Sequence, residues 1–341
     1  MSDRPGSVMS GVTVVIPNWN RRGPLERLIG QLQAQTRPPE EILVVDNGSS
    51  DGSAEAARSR GARVIELDRN AGFAVAVNRG IEETRTELVA VINNDVEPAP
   101  DWLERLGEAL EQPQVWFASG RLRSAARPEE LDGTYDTLCR GACPWRAGHG
   151  AKDGPPWGRR RRIRFAPFTA ALFRTELFHR VGALDERFQS YLEDVEFCLR
   201  CAKLGYAGLY VPDALATHAG SATLGRWHKD AVRLIARNQV LLMAKHYPAG
   251  CLLRYGWPIL VAQGLWGLLA MAHGRGLPFL RGKLEGLLLA RTVRREAARG
   301  GGFEPGLSRI LEESESEIFR LQRRQGFDLY WRLYFALTSL V

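Results

Sequence analysis

Cysteine is scarce in this chain. Five thiols among 341 residues are an odd number for a disulfide framework, and a reducing compartment would keep them free. Cys139-x3-Cys143 and Cys198-x2-Cys201 come near the spacing of a four-thiolate zinc site. Cys198, however, stands between Phe197 and Leu199 on an expected helix, where a thiol behaves as a small buried hydrophobe, and that reading is favoured. The start, Met1-Ser2-Asp3-Arg4-Pro5-Gly6-Ser7, lacks the basic stretch and apolar core of a secretory signal, so the expected location is the cytoplasm. An even spread of charge is also missing. The net +7 gathers in Arg159–Arg164 and beyond Arg226, which points to a local anionic partner and not to nucleic acid. With 45% hydrophobic and 25% charged residues, the chain can bury a full core, as one large domain with an appendage.

What is present begins with strand and helix in alternation. Val12–Ile16 is a β-branched run closed by Pro17, after which Leu25, Leu28, Ile29 and Leu32 recur at helical spacing. Glu41–Val45 is a second apolar strand running into the polar turn Asp46-Asn47-Gly48-Ser49-Ser50-Asp51-Gly52-Ser53, then a helix over 54–58. Ala62–Leu67 is a third strand, and Asn70-Ala71-Gly72-Phe73 turns into a helix over 74–83. Leu88-Val89-Ala90-Val91-Ile92 then stops abruptly at Asn93-Asn94-Asp95. Continuous apolar strands separated by helices predict an α/β fold with a mostly parallel sheet covered on both faces. Right-handed crossovers would put Pro17, Asp46 and Asp95 on one rim, where open α/β sheets collect ligands.

Helix is next expected over 101–111 and strand over 115–119. Arg123–Arg164, rich in Gly, Pro and Arg, is too long for an ordinary connection and reads as a functional or mobile loop. Its run Arg159-Arg160-Arg161-Arg162 is a solvated charge run or a contact for phosphate. An apolar run at 168–173, a short helix at 176–181 and the acid cluster Glu193-Asp194-Val195-Glu196 follow. The helix carrying those acids ends at Gly205, and a strand over 206–211 leads through Ala214–Thr217 to His218.

Val14-Val15-Ile16-Pro17-Asn18-Trp19-Asn20, Val44-Val45-Asp46 with its turn, Asn93-Asn94-Asp95, Glu193-Asp194 and His218 together resemble family 2 glycosyltransferases, and within them the rhamnosyltransferase-like branch. The resemblance spans roughly Val12 to Ser221 and rests on all five motifs in order. It implies a GT-A fold and transfer of a sugar, such as rhamnose or another hexose, from a nucleotide-diphosphate donor of dTDP or UDP type with inversion at the anomeric carbon. The acceptor would be a glycan or lipid-linked glycan. Asp95 and His218 take the metal positions, Asp194 that of the base with Glu193 beside it, and Asp46 that of nucleotide recognition. Pro17, Asn18, Asn20, Asn70, Gly72, Asn78, Asn93 and Asn94 fill further donor-side positions. Three departures stand out: the neutral Asn93-Asn94 before Asp95, Pro17 in place of a β-branched residue, and Phe168-Thr169-Ala170-Ala171 where a Gly-Ala pair usually lines the sugar pocket.

The residue types suit that chemistry. A diphosphate leaving group concentrates negative charge that a divalent cation can bridge; a carboxylate with an imidazole suits Mn²⁺ without excluding Mg²⁺. One base then suffices, unlike the carboxylate pair of a glycosidase. Each residue also has a plainer reading. Asp95 can be a turn or cap acid before Pro98 and Pro100, His218 an ordinary hydrogen-bonded histidine, and Glu193, Asp194 and Glu196 an acidic first helical turn. Glu196 and Arg200, four apart, read as a structural pair. A noncatalytic nucleotide- or glycan-binding module on a membrane is the competing function.

The catalytic domain is expected over 1–225, with a donor half at 12–122 and an acceptor half at 164–221, and a helical region over 226–341. From Arg226 to Arg299 there are thirteen Lys and Arg against Asp230, Glu285 and Glu296. Within this stretch lie the eighteen uncharged residues Tyr255–Ala272, borderline in length for a membrane span and interrupted by Pro258 and Gln263. A helix or helical hairpin lying on the inner face of the cell membrane, with Trp at the interface and basic flanks on anionic headgroups, is expected. Ile318, Leu321, Phe327, Tyr330, Leu333 and Tyr334 form a further apolar set that packs on the catalytic domain or on this tail.

Overall fold

The structure, a computed structural model, describes residues 11–219, 227–299 and 306–338. The expectations that fall on Met1–Ser7, Ser221, Arg226 and the 225/226 boundary lie outside the described residues.

Strands Val12–Asn18 (β1), Glu41–Asp46 (β2), Arg63–Glu66 (β3) and Leu88–Ile92 (β4) are joined by helices Arg22–Gln33 (α1), Ser53–Ser59 (α2) and Phe73–Glu82 (α3). They lie parallel in the order β3-β2-β1-β4. Their apolar runs are continuous because both sheet faces are covered: Val15, Val89 and Val91 enter one core, Val14, Ala90 and Ile92 the other. Pro17 is tolerated in this central strand because pairing of β1 with β4 has ended at Val15, so its missing N–H leaves no gap in that ladder.

Val96–Pro98 (β5), Trp102–Leu110 (α4) and Phe117–Ser124 (β6) follow; β6 is shifted along and longer than the strand expected over 115–119. The segment expected as one long loop is built instead of short strands, Leu131–Gly133 (β7), Asp136–Leu138 (β8), Pro144–Arg146 (β9) and Arg161–Ile163 (β10). Three-residue strands carry no period that a sequence pattern can register. Ala170–Arg174 (β11), Thr175–Val181 (α5), a 3-10 turn at Glu186–Phe188, Glu193–Lys203 (α6) and Gly208–His218 (β12) complete this half. The sheet extends from β4 as β11-β6-β12-β10, with β11 and β10 antiparallel to their neighbours. It is therefore mixed, with flanking helices. The strand expected over 206–211 begins at Gly208 and runs on to His218, with a register irregularity between Tyr210 and Leu215 where Pro212 interrupts it. All five cysteines are buried and free, as small hydrophobes.

Among the described residues six helices follow: Lys229–His246 (α7), Ala249–Arg254 (α8), Gly256–Ala272 (α9), Gly276–Arg299 (α10), Leu307–Gln325 (α11) and Leu329–Thr338 (α12). Leu241, Tyr247, Tyr255, Trp331 and Tyr334 share one core with β1, β4 and the short-strand insertion. Helix α11 grips that insertion. Ser314 Oγ accepts from Leu138 N–H at 2.8 Å, Glu315 binds Arg140, and Glu317 binds Tyr135 and Arg161. With Arg160 on Glu108 and Arg164 on Glu313, much of the arginine run is spent on internal ion pairs. The apolar set at 318–334 is shared: Trp331 meets Trp145 of the insertion, while Tyr330 donates to Ala262 O of α9 at 3.1 Å. No helix among the described residues is long and apolar enough to cross a membrane.

Candidate functional site

The carboxyl ends of the parallel strands place Asn18, Asp46 and Asn93-Asn94-Asp95 on one rim. Asn18 is the hinge of this rim: its Nδ2 donates to Asp46 Oδ2 at 3.1 Å, and its Oδ1 accepts from Asn94 Nδ2 at 2.7 Å. Asp46 Oδ1 takes the N–H of Ser49 at 2.8 Å, and Asn20 Oδ1 that of Ser50 at 2.8 Å. The first two motifs thus brace each other, leaving Trp19 and Asn20 exposed beside them. Asn93 donates its N–H to Thr169 O at 2.9 Å, and its buried Oδ1 has no partner.

Asp95 meets His218 because β12 runs antiparallel to β5, with His218 in register with Val96. Asp95 Oδ1 stands 3.3 Å from His218 Nε2, and the other ring nitrogen, Nδ1, lies 2.8 Å from Asp132 Oδ2. Burial pulls the imidazolium down, but the hydrogen bonds and charges of Asp132 and Asp95 outweigh it and push His218 up to about 9. Asp132 lies on β7 and is a residue that sequence reasoning missed. A carboxylate on the far nitrogen of a ligating histidine fixes ring orientation and tautomer.

Asp132 begins a chain of charge. Arg146 reaches it at 4.0 Å, places Nε 3.1 Å from Asp136 Oδ1, and donates to Thr169 Oγ1 at 3.1 Å. Asp194, in the first turn of α6, accepts its neighbour Val195 N–H at 2.8 Å. Burial first, and then the charge of Asp136, raise its carboxyl to about 6 against the opposing pull of Arg146. The like charge beside Asp194 that matters most is thus Asp136, from the insertion. Glu193 is held well above the usual carboxylate range by burial and by Asp194, and its Oε2 has no partner.

The approach to Asp194 is strained. Gln189, Tyr191 and Leu192 have φ of 60°, 69° and 65°, the left-handed region that costs a residue with a Cβ roughly 1–2 kcal/mol. Helix α7 holds this turn. Asn238 Nδ2 donates to the carbonyls of Phe188, Ser190 and Tyr191 at 2.8, 3.0 and 2.6 Å, and Arg237 to those of Arg187 and Phe188 at 2.8 and 2.9 Å. From the other side Gly72, at φ +98°, comes so close that a Cβ there would lie 3.0 Å from Gln189 O. Gly72, counted among the donor-side positions, thus makes its close approach to this turn. Asn70 and Gly72 are joined through Asn47 Nδ2, which donates to both at 3.1 Å. Asn78 lies apart from the rim, its carboxamide bound to Leu184 and Glu186. Glu196 points inward, meeting Arg200 at 3.0 Å, Lys245 at 2.9 Å and His246 at 3.0 Å.

Among the described residues no group of three or more His, Cys, Asp or Glu could hold a metal ion by itself. One carboxylate and one imidazole side by side fit a cation that takes its remaining ligands from substrate phosphates and water, as Mg²⁺ and Mn²⁺ do.

The model of the family described as "Glycosyl transferase family 2" matches residues 13–182. An N-acetylglucosaminyl-diphospho-decaprenol L-rhamnosyltransferase of Mycobacterium tuberculosis is 31% identical over 248 residues, 64% of this chain and 79% of that protein. A pre-mycofactocin glycosyltransferase of the same organism is 28% identical over 293 residues, covering 84% and 57%. Among solved structures, GalNAc-T7 with UDP, GalNAc and Mn²⁺ superposes at a TM-score of 0.63 with 14% identity, over 94% of this chain and 59% of that one. A mannosyltransferase of Pyrobaculum calidifontis with GDP-Man and Mn²⁺ matches at 0.50 and 18% identity, over 97% and 87%.

Proposed function

The chain belongs to glycosyl transferase family 2, and from that premise we propose that it is an inverting, divalent-metal-dependent transferase that moves a hexose such as rhamnose to a lipid-linked glycan at a membrane surface. One observation carries this reading: a continuous run of contacts, Asp95, His218, Asp132, Arg146 and Asp136, links the rim that would receive the diphosphate to the surroundings of Asp194.

In this reading Asp46 accepts a hydrogen bond from the base or ribose, braced by Asn18 and Ser49. Asp95 Oδ1 and His218 Nε2 would hold Mn²⁺ or Mg²⁺, which when bound supplies positive charge to the leaving diphosphate. Asp132 keeps His218 Nε2 turned toward Asp95. Asp194 takes the proton of the acceptor hydroxyl as that oxygen bonds to the anomeric carbon and the bond to the nucleoside diphosphate breaks. General-base help of this kind contributes about 10²–10⁴ in rate. Glu193, whose buried Oε2 has no partner, can hydrogen-bond the acceptor in its protonated form.

The test is Asp194→Asn with nucleotide-sugar donors and Mn²⁺ or Mg²⁺, read by mass spectrometry of the product. Turnover is expected to fall by about 10²–10⁴ while the nucleotide still binds. Wild-type turnover in this variant would overturn the mechanism, and a screen of dTDP-, UDP- and GDP-linked sugars names the donor.

A further inference from the structure

Helix α10 has two faces that share no residue. Gly282 and Gly286 lie against α7 so closely that a Cβ would meet Arg233 O at 2.1 Å and Arg237 O at 2.8 Å, and Val293 is buried on the same side. The opposite side carries Leu277, Leu280, Leu284, Leu287 and Leu288, which are 59% to 79% exposed. Their spacing of three and four residues makes one stripe along the helix, and Arg291 and Arg295 continue it toward the carboxyl end. No hydrogen bond or ion pair engages these two arginines among the described residues. The acids of α10 are turned off the stripe and neutralised: Glu285 binds Arg233 at 2.7 Å and Arg281 at 2.9 Å, and Glu296 binds Arg187.

The outward face is therefore apolar and cationic without a free carboxylate. A water-facing helix would not expose five leucines in register, since soluble surfaces scatter such residues singly. A face for a protein partner gains nothing from shedding all its acids, whereas a surface with an acyl boundary under a layer of anionic headgroups matches leucines and arginines at once. Helix α9 ends beside it, with exposed Met271 packed on Gly276 at the turn into α10. Helix α9, around which the membrane contact is expected, buries Val261, Ala262 and Ala270 against the body of the protein and leaves Trp257, Leu260, Leu268 and Met271 exposed, and α10 adds its five leucines to that apolar surface.

We propose that the outer face of α10 is the surface by which this protein docks on an anionic bilayer, leucines in the acyl boundary and arginines among the headgroups. Its purpose rests on the reading of a lipid-linked acceptor; the face itself stands on its own geometry.

The full chain is tested by flotation with vesicles of phosphatidylcholine alone and of phosphatidylcholine mixed with phosphatidylglycerol. Wild type should float with the anionic vesicles and release at high salt. Arg291→Gln/Arg295→Gln should weaken that binding about 30-fold at low salt, each cation being worth about fivefold near such a surface. Leu284→Gln/Leu288→Gln should abolish it. All four positions are exposed, and both variants should keep wild-type transfer to a soluble acceptor analogue. Wild type that ignores anionic vesicles, a leucine variant that floats as wild type does, or a wild-type dimer that the leucine substitutions make monomeric without any vesicle binding would overturn the proposal. Vesicle binding without transfer to any acceptor would instead sink the transferase reading and leave the docking face standing.

Discussion

Two side chains of the insertion should move the activity of Asp194 in opposite directions along the pH axis. As the proposed base, Asp194 must be deprotonated, so kcat/KM should rise with pH through about 6. Between pH 7 and pH 5 the fraction in the active form falls from about nine-tenths to about one-tenth, close to a tenfold loss. Asp136 raises this carboxyl and Arg146 lowers it. Asp136→Asn removes a like charge and frees the field of Arg146, so the limb should move to lower pH. Arg146→Met removes the cation and leaves Asp136 uncompensated, so it should move to higher pH. A charge within about 4–6 Å shifts a carboxylate by about 1–3 pH units, and a displacement of about one unit each way is expected because the two act through each other. The double variant should return near the wild-type limb. The assay is nucleoside-diphosphate release at subsaturating donor from pH 5 to 8, with saturating Mn²⁺ and nucleotide affinity measured alongside. Shifts of the same sign in both single variants, or none in either, would refute Asp194 as the titrating base.

Asn238→Ala removes the side-chain donor of the Ser190 and Tyr191 carbonyls and leaves Phe188 O to Arg237 and Ser190 N–H, at about 1–3 kcal/mol of stability. Because that turn is left-handed and aims Asp194, kcat should also fall about tenfold or more at temperatures where the variant is folded; Leu241→Ala, a core truncation on the same helix, should lower Tm with kcat nearly unchanged. Glu196→Gln leaves Arg200 and Lys245 facing a neutral partner and should cost about 3–5 kcal/mol in denaturant unfolding. Glu196 is held well below its ordinary range in the folded state, burial being outweighed by Arg200, Lys245 and His246. Its stabilisation should therefore be full above the unfolded carboxylate value of about 4.3 and fade as pH falls through the folded one, a dependence the Gln variant should lack.

The rim of the site was legible in sequence because buried parallel strands write themselves as unbroken apolar runs, and a run that stops at Asp46 or Asp95 marks the carboxyl edge of the sheet. Gly205, at φ +84° just past α6, was legible because it answers a backbone demand at one position; Pro17 was read as closing the first strand, yet β1 runs through it to Asn18, paired with β2. Asp132, Asp136 and Arg146 were not, because strands of three residues have too few side chains to show a period and their partners lie far along the chain, with His218 eighty-six residues from Asp132. Asn238 was equally hidden, since an asparagine in mid-helix announces nothing until the carbonyls of a distant turn are brought against it.

Helix α10 shows a further limit of pattern reading. Apolar length marks Tyr255–Ala272, yet that helix spends part of its apolar surface on the core, while α10, with its arginines and its glycines, has too little mean hydropathy to stand out. What sets α10 apart is the pairing of two features at opposite faces: glycines that let it lie almost backbone to backbone on α7, and leucines that stand exposed. The first feature ties the second to catalysis. Gly286 rests on Arg237 O, and Arg237 and Asn238 hold the turn before Asp194, so one helix separates the face that would meet the bilayer from the turn before the proposed base. An acceptor held in the bilayer would thus meet a base whose position is fixed from the membrane side of the fold.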